Sequence, residues 1–346
     1  MDEPSVPRKA ILAGCGLMSR EWLRCAQELG IEVAALVDPF PSAAETRAKE
    51  ARLTVPIYPE LGQAVAEVPA QILFDCTIPA AHREVSGLGL RSGLHVLEEK
   101  PLALDLEGAE ELVRLAESNG RLHVVQQNRR FNRGMRTMRQ MIADGTIGEV
   151  TTVHADFFVG AHFGGFREKM RHVLLTDMAI HPFDAVRYLI QANGDSVFCE
   201  EWTPANSWYE HGSSVVAIFQ MAGVRFCYRA SWCSEGFRTP WDANWRVIGT
   251  HGTLLWDGEG DVRGERVRPV PGALLYDAES LPMNVEPDPA FTRGHFSVMK
   301  QFVNALDGGP LPETRSSDNI HSLAMVLAAV ESAETGQRVV VRTSAA

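Results

Sequence analysis

The segment Lys9-Ala-Ile-Leu-Ala-Gly-Cys-Gly-Leu-Met-Ser19 decides the fold of this chain. Its apolar run, Ala10 to Ala13, predicts a buried parallel strand, and Glu21 to Leu29 follow with apolar residues at helical spacing. Gly14 permits a tight turn after the strand, and Gly16 lets the backbone approach a pyrophosphate at the helix N-terminus. The segment predicts a dinucleotide site, with a strand–turn–helix that binds no ligand as the alternative.

An acidic residue supports the dinucleotide interpretation. A second apolar strand, Val33 to Val37, ends in Asp38. An acid about 20 positions beyond the glycines is placed to accept hydrogen bonds from ribose hydroxyls. Its carboxylate would repel a 2′-phosphate, so NAD is favoured over NADP, and Arg47 is the cation that could reverse this preference. Ser19 replaces the third glycine of the fingerprint and is a candidate helix cap.

Length and composition are typical of a globular chain with two domains. The chain has 346 residues, of which 45% are apolar and 22% are charged. A formal charge of −11 argues against nucleic acid or an anionic membrane as the main partner. No apolar run reaches the roughly 18 residues of a membrane span, and residues 1–8 do not resemble a signal peptide. The six cysteines form no C-x-x-C motif, so reduced thiols and a cytoplasmic location are expected.

The pattern of apolar residues changes along the chain. Strands and helices alternate to about residue 126, which predicts an α/β Rossmann domain over residues 1–127, a doubly wound parallel sheet with helices on both faces. Long strand-like runs joined by short turns such as Ala222-Gly223 then predict an α+β domain over residues 128–346, on a large, mostly antiparallel sheet. Its expected helices are Arg133–Ala143, Ala179–Gln191, Arg293–Leu306 and Asn319–Thr335.

Two short segments supply groups suited to the oxidation of an alcohol. Glu99-Lys100-Pro101 follows a predicted strand, and Asp177-Met-Ala-Ile-His181 opens a predicted helix. An imidazole, with an ordinary pKa of about 6.5, suits removal of a hydroxyl proton at neutral pH. Lys100 would stabilise the developing alkoxide, and Asp177 would orient His181 or hold a neighbouring hydroxyl.

These assignments have structural alternatives. Lys100 could form a surface ion pair with Glu98 or Glu99, and His181 could be a hydrogen-bonded core residue. Pro182 follows the histidine directly. Because an interior proline interrupts the helical ladder, the helix either begins near His181 with Pro182 in its first turn or is kinked there.

The chain resembles the Gfo/Idh/MocA oxidoreductases, the glucose–fructose oxidoreductases, inositol dehydrogenases and their relatives, from Lys9 to the C-terminus. The motifs that carry the resemblance are, in chain order, Gly14-x-Gly16-x-Met18, Cys76-Thr77-Ile78-Pro79 with His82, His95-Val-Leu-Glu-Glu-Lys-Pro-Leu102, Arg130-Phe131, Ile147-Gly148-Glu149-Val150 and Asp177-xxx-His181. The chain departs from the family pattern at Ser19, at Thr77-Ile78-Pro79 in place of Thr-Pro-Asn, and at Pro182.

The resemblance implies a division of labour between the domains. The N-terminal domain of the family binds NAD(P), with the Glu-Lys-Pro lysine near the nicotinamide, and the histidine of D-x-x-x-H is the usual acid/base. The catalytic roles then fall on Lys100, Asp177 and His181. With the glycine turn and Asp38, the candidate cofactor-binding residues are Gly14, Gly16, Leu17, Met18, Asp38, Thr77, Pro79, His82, Glu99 and Lys100.

Substrate contacts are expected from the second domain. His154 and Asp156 share one face of a predicted strand, with a buried polar pair as an equal alternative. The glycine-bearing loop that contains Arg167 could cover a substrate. Trp241 could stack on a sugar ring, with core or interface packing as its alternative, and Arg129 completes the candidates.

The function favoured by the sequence is NAD-dependent hydride transfer at a secondary alcohol of a sugar, sugar derivative or cyclitol. The alternatives are a glycoside-modifying enzyme that uses tightly bound NAD transiently, and a non-catalytic NAD or sugar sensor. No metal is expected, because no third ligand joins Asp177 and His181 at a recognised spacing. Asp184 and Arg187 are expected to form a solvated or helix-stabilising pair. A homodimer or homotetramer is expected, since an exposed sheet face commonly packs against another and members of the family often assemble this way.

Overall fold

The computed structural model describes residues 8–282 and 285–344, which form two compact units. The first unit contains the described residues up to Asn128, Gly294–Ile320 and Ser344, and the second contains Arg129–Arg293 and His321–Thr343. The first boundary lies next to the predicted one at residue 127. The C-terminal part is divided differently from the prediction, because Gly294–Ile320 returns to the first unit.

The first unit alternates strands and helices. Its elements are β1 Lys9–Ala13, α1 Ser19–Glu28, β2 Glu32–Val37, α2 Pro41–Ala51, β3 Ile57–Tyr58, α3 Leu61–Glu67, β4 Ile72–Asp75, α4 His82–Arg91, β5 His95–Glu98, α5 Leu106–Ser118 and β6 His123–Val125. The strands form one parallel sheet in the order β3-β2-β1-β4-β5-β6. This order confirms the predicted Rossmann fold.

The strand order places the ligand crevice of the first unit. The sheet changes its direction of growth between β1 and β4, and open α/β sheets bind ligands at the carboxyl ends of the two strands at such a point. The Gly14–Gly16 turn follows β1, and Thr77 follows β4. The two predicted cofactor-binding turns are therefore neighbours.

The second unit is built on a nine-stranded sheet. Its elements, with the last two helices of the chain, are α6 Arg133–Ala143, β7 Val150–Phe158, α7 Ile180–Ile190, β8 Ser196–Trp202, β9 Ser214–Met221, β10 Val224–Ser231, β11 Asn244–Gly249, β12 Gly252–Trp256, β13 Arg263–Val267, β14 Ala278–Ser280, α8 His295–Leu306 in the first unit, α9 Ser316–Thr335 and β15 Val339–Val340. The strand order is β14-β13-β12-β11-β7-β10-β9-β8-β15. Only β7 and β10 pair in parallel among these described neighbours, so the sheet is mostly antiparallel, as predicted.

The two faces of this sheet have different surroundings. Val153, Ala155 and Phe157 of β7 are buried in a core that also contains residues of α6, α7 and α9. The ring of Phe183 on α7 packs edge-on against Phe219, with ring centroids 4.7 Å apart. Alternate residues of the same strands lie on the opposite face, where burial is incomplete.

Several local features differ from the expectations. The strands β3, β13, β14 and β15 were not expected, because they are very short or rich in polar residues. A π-helical turn, Leu174–Ala179, precedes α7. The Ala222-Gly223 turn is present as predicted, and both residues have positive φ, as a two-residue hairpin requires. Within the described ranges, no helix is long and apolar enough to cross a membrane.

Candidate functional site

The glycine turn of the first unit is tightly packed at its first glycine and open at its second. Gly14 has φ +85°, and a Cβ there would lie 2.4 Å from the carbonyl oxygen of Cys76. A Cβ on Gly16 would meet no heavy atom within 4 Å. The first glycine is therefore required by the fold, whereas the second leaves open space in front of α1.

Ser19 corrects one detail of the prediction. It is the first residue of α1 and is fully buried, and its hydroxyl donates a hydrogen bond of 2.6 Å to the carbonyl oxygen of Gly16. A cap would instead accept from a backbone N–H, so Ser19 fixes the glycine turn rather than capping the helix. The predicted cofactor contacts Leu17 and Met18 extend from the same turn as exposed apolar side chains.

Asp38 lies at the end of β2 with its carboxylate directed at the turn. Its two oxygens accept hydrogen bonds of 2.9 Å from the backbone N–H groups of Cys15 and Phe40. A carboxylate offers about four lone-pair sites, so acceptor capacity remains for ribose hydroxyls. Arg47 is buried nearby and donates to the carbonyl oxygen of Gly16 at 2.8 Å.

The second turn predicted to bind the cofactor is held by a buried carboxylate. Asp75, the last residue of β4, accepts from the backbone N–H and the hydroxyl of Thr77, at 3.1 and 2.6 Å, and from the hydroxyl of Ser86 at 2.8 Å. Pro79 opens a short 3₁₀ turn directly after it. These bonds fix the backbone that was predicted to face the cofactor.

The structure corrects the role expected for His82. Its ring is fully buried, and its nitrogens lie 2.7 Å from the carbonyl oxygen of Pro101 and 3.3 Å from that of Thr77. The buried ring of His82 therefore links the turn at Thr77 to the turn at Pro101 and has no surface that a cofactor could contact. Burial by itself lowers the pKa of His82, but the Glu98 and Asp75 carboxyls and the two carbonyl groups raise it overall.

The two carboxylates that precede Lys100 in the chain point away from solvent. Glu98 is fully buried between His82 and His123, and burial raises its pKa well above the usual range and lowers that of His123 to about 4. Glu99 accepts a hydrogen bond of 2.9 Å from the indole N–H of Trp22 and one of 3.1 Å from the backbone N–H of Lys100. Neither carboxylate is in solvent, as a surface ion pair with Lys100 would require.

The other predicted catalytic residues lie in the second unit, at the junction of two helical forms. Asp177 is in the π-helical turn, and His181 is buried at the second position of α7. Pro182 lies in the first turn of α7, which confirms one of the two predicted arrangements. Because the two forms wind differently, Asp177 and His181 do not share the face of one regular α-helix.

Arg167 is attached to Asp177. Its Nε donates a hydrogen bond of 2.8 Å to the carboxylate, and its guanidinium lies 5.1 Å from the ring centre of Phe163 and 4.9 Å from that of Phe166. The loop predicted to lie beside the site therefore reaches it through this arginine. Aromatic contacts of this kind hold a guanidinium in place.

A small pocket of the second unit brings together three predicted residues. His181, Arg129 and Trp241 line it, and Arg129 forms an ion pair with Asp242. Trp241 is exposed over part of its surface and packs against Phe163, with ring centroids 6.1 Å apart. Asp242 was not singled out from the sequence, and only its position beside Trp241 could have indicated it.

His154 and Asp156 are not in this pocket. They alternate along β7 with the core residues, so they lie on the opposite face of the sheet from α7. Asp156 forms a two-pronged ion pair with Arg229 on β10, with distances of 2.8 and 2.5 Å. The two residues therefore lie apart from the pocket that His181 lines and do not form a buried pair with each other, and a contact of either with substrate stays a prediction.

Asp184 and Arg187 form the helix-stabilising pair that was one of the two expected arrangements, with 3.7 Å between Nη1 of Arg187 and Oδ1 of Asp184 one turn apart on α7. Both are buried, and Asp184 accepts hydrogen bonds from the guanidinium of Arg130 and, at 2.9 Å, from the hydroxyl of Ser322. Arg187 donates to the same hydroxyl at 2.8 Å. The pair is thus part of an internal polar network that fixes α7, not a solvated pair.

Comparison with known proteins identifies the family of this chain. Residues 8–127 match the model of an oxidoreductase family with an NAD-binding Rossmann fold, GFO_IDH_MocA, and residues 135–255 match the GFO/IDH/MocA C-terminal domain. Among curated relatives, 1,5-anhydro-D-fructose reductase of Ensifer adhaerens is 28% identical, with 96% of this chain and 98% of the relative covered. D-Apiose dehydrogenase of Paraburkholderia graminis is 26% identical over 96% of this chain and 89% of the relative.

A solved structure extends the likeness to the whole fold. An oxidoreductase from Agrobacterium radiobacter in complex with NAD⁺, L-tartaric acid and magnesium superposes with a TM-score of 0.85. The two sequences are 18% identical, and the match covers 97% of this chain and 99% of the other. The two family models show that this chain belongs to the Gfo/Idh/MocA family of oxidoreductases with an NAD-binding Rossmann fold.

Proposed function

We propose that this protein transfers a hydride between a secondary alcohol of a sugar, sugar derivative or cyclitol and the nicotinamide of NAD. The observation that carries the proposal is the pocket in which His181 lies beside Arg129 and Trp241, within a family of NAD-binding oxidoreductases. The pocket encloses only about 10 Å³, the space of roughly one water, so a sugar ring would lie at its mouth. Trp241 is exposed there and suits the apolar face of the ring, and Arg129 and His181 suit hydroxyls.

Each residue has a defined part in this chemistry. The imidazole of His181 takes the proton of the reacting hydroxyl through a ring nitrogen. The ammonium of Lys100 stabilises the negative charge that develops on the oxygen. Asp177, held by Arg167, orients a hydroxyl or the imidazole. Bound NAD⁺ supplies the hydride acceptor.

The cofactor has matching residues in the first unit. Gly14 and Gly16 give the pyrophosphate an open backbone turn, and Asp38 retains acceptor capacity for the ribose hydroxyls. Thr77 and the Glu99–Pro101 segment form neighbouring turns that His82 holds from behind. NAD therefore fits the donors, acceptors and space that these residues provide.

The test is a screen of cyclitols, aldoses and glycosides with NAD⁺ and NADP⁺, followed by the absorbance of the reduced nicotinamide. We expect the reduced cofactor to accumulate with at least one neutral polyol, and His181→Gln to abolish that signal. The matched control, His251→Gln, changes an exposed histidine in the turn between β11 and β12 and should retain full activity. Conversion of a glycoside without net reduction of NAD⁺ would contradict a dehydrogenase and support the transient use of NAD.

We also propose that the open face of the nine-stranded sheet joins two copies of the chain. A registered row of residues crosses this face, formed by Phe198, Ile218, Cys227, His154 and Arg246 on five neighbouring strands. Phe198 and Ile218 are exposed apolar side chains. Phe198→Asp should therefore shift the protein towards monomers in sedimentation. The control is Phe163→Asp, which makes the same change at an exposed phenylalanine in the loop beside the pocket and should not shift it. An unmodified protein that sediments as a monomer would contradict this proposal.

A further inference from the structure

Arg47 is buried beside the glycine turn, unlike an ordinary surface arginine. It belongs to α2 and only 5% of it is exposed. One end of its guanidinium donates to the carbonyl oxygen of Gly16 at 2.8 Å and lies 3.5 Å from that of Cys15. The other end forms an ion pair with Glu50, one helical turn further along α2. The cation is thus fixed between the glycine turn and a carboxylate.

Glu50 is itself held by a second arginine. Arg20, on α1, donates two hydrogen bonds to its carboxylate, at 3.1 and 2.7 Å. The carboxylate of Glu50 therefore lies between two guanidinium groups. Arg20 fixes the carboxylate, and the carboxylate in turn fixes Arg47. Its side chain is partly exposed, so its replacement by glutamine should be tolerated by the fold.

Arg47 and Asp38 both contact the glycine turn, and Cys15 is the residue that they share. Asp38 accepts from the backbone N–H of Cys15, and Arg47 donates to the carbonyl oxygens of Cys15 and Gly16. The charge of the acid would repel a 2′-phosphate, and the charge of the arginine would attract one. The Nε atom of Arg47 is buried without a hydrogen-bond partner, so the held position is not the one that best satisfies this guanidinium.

We propose that Glu50 determines the cofactor preference indirectly, because it holds Arg47 against the glycine turn and leaves Asp38 as the group that meets the adenosine ribose. Glu50 is in this sense a specificity-determining residue that does not touch the cofactor. The proposal rests on NAD binding at the Gly14–Gly16 turn. It implies that this chain has the residues to bind a 2′-phosphorylated dinucleotide. Asp38 repels the 2′-phosphate, and Glu50 keeps Arg47 from reaching it.

The experiment titrates the full-length protein with NADH and with NADPH and follows the fluorescence of the reduced nicotinamide. Unmodified protein should bind NADH more tightly. Glu50→Gln alone should change NADPH binding less than about threefold, because Asp38 still repels the phosphate. Asp38→Ala alone should reduce the ratio of NADH affinity to NADPH affinity by about tenfold, which is the effect of one charge-assisted contact. The Asp38→Ala/Glu50→Gln double variant should bind NADPH at least about tenfold more tightly than Asp38→Ala alone.

Two controls identify the group responsible. Adding Arg47→Met to the double variant should remove the gain in NADPH binding, because the freed guanidinium is its source. Arg20→Gln combined with Asp38→Ala disturbs the same carboxylate but leaves Arg47 with Glu50, so it should give no gain. Equal NADPH affinities for Asp38→Ala and the double variant, or a gain that survives Arg47→Met, would overturn the proposal. Failure of the unmodified protein to bind NADH would instead refute the cofactor site on which it rests.

Discussion

Separate replacement of Gly14 and Gly16 by alanine distinguishes what the fold requires at this turn from what cofactor binding requires. At Gly14 the new methyl group would lie 2.4 Å from the carbonyl oxygen and 2.5 Å from the carbonyl carbon of Cys76, which are backbone atoms that cannot move aside. At Gly16 it would meet nothing within 4 Å. The two variants carry the same chemical change two residues apart, so each is the control for the other.

The sizes of the two effects follow from this geometry. Gly14→Ala places an L-residue at φ +85°, which costs about 1–2 kcal/mol, and the overlap adds about 1–3 kcal/mol. At about 2–4 °C per kcal/mol for a domain of this size, we expect a Tm lower by roughly 4–20 °C. Gly16→Ala should change stability by less than about 1 kcal/mol. Its methyl group occupies the space that the pyrophosphate needs and should weaken NADH binding by roughly 10- to 100-fold.

The assay pairs thermal unfolding of the ligand-free protein with fluorescence titration by NADH. A Gly16→Ala protein that binds NADH as tightly as the unmodified protein would refute the placement of the pyrophosphate at this turn. A Gly14→Ala protein with an unchanged Tm would show that the close approach to Cys76 is not what this position requires. NADH binding by Gly16→Ala therefore tests the position of the cofactor, and the Tm of Gly14→Ala tests the packing of the turn.

Three further outcomes are expected. Lys100→Met keeps the apolar stem of the lysine but removes its charge, so kcat should fall by about 100-fold or more while the Kd for NADH and the Tm change little; near-normal turnover would remove the lysine from the chemistry. His181→Ala should lower kcat/KM by roughly 10² to 10⁴, and kcat/KM of the unmodified enzyme for alcohol oxidation should fall in acid, because an imidazolium cannot accept a proton. The pKa of His172 is raised, chiefly by its hydrogen bond to Glu201. Its contribution to stability should be complete below its unfolded value of about 6.5 and should be lost as the pH rises through the higher folded value. Urea unfolding of His172→Gln should accordingly show a deficit of about 2 kcal/mol at acid pH that shrinks in alkali, and a deficit that does not vary with pH would contradict this account.

The parts of the fold that depend on local pattern were predictable from the sequence. The apolar run of β1, its two glycines and the helical spacing after them give the first βαβ unit correctly, and the predicted bounds of α6, Arg133–Ala143, agree with the structure to the residue. The strand β13 was not predictable, because its residues are mostly charged and it lies near the edge of the sheet, between β12 and the edge strand β14.

The site was predictable to the extent that its residues lie in short motifs. The environment of each residue was not, because it depends on partners far away in the chain. Asp184 is buried by Arg130 and Ser322, which are 54 and 138 residues away. His82 reaches Pro101 across 19 residues, so its burial behind the two turns could not be inferred from spacing alone.

The return of the chain to the first unit has a consequence for how this protein is made. The backbone N–H of Val125 donates to the carbonyl oxygen of Thr314 at 2.9 Å, so the edge strand β6 is covered by a segment synthesised far later. The side chain of Gln126 donates to the carbonyl oxygen of His295 at 3.1 Å, and α8 packs against α1. During translation, the nascent nucleotide-binding unit therefore carries an open sheet edge and an uncovered helix until almost the whole chain has emerged. Edges of this kind recruit other strands, so expression of residues 8–128 alone should give aggregates, and addition of residues 294–320 in a fused or permuted gene should restore a soluble product.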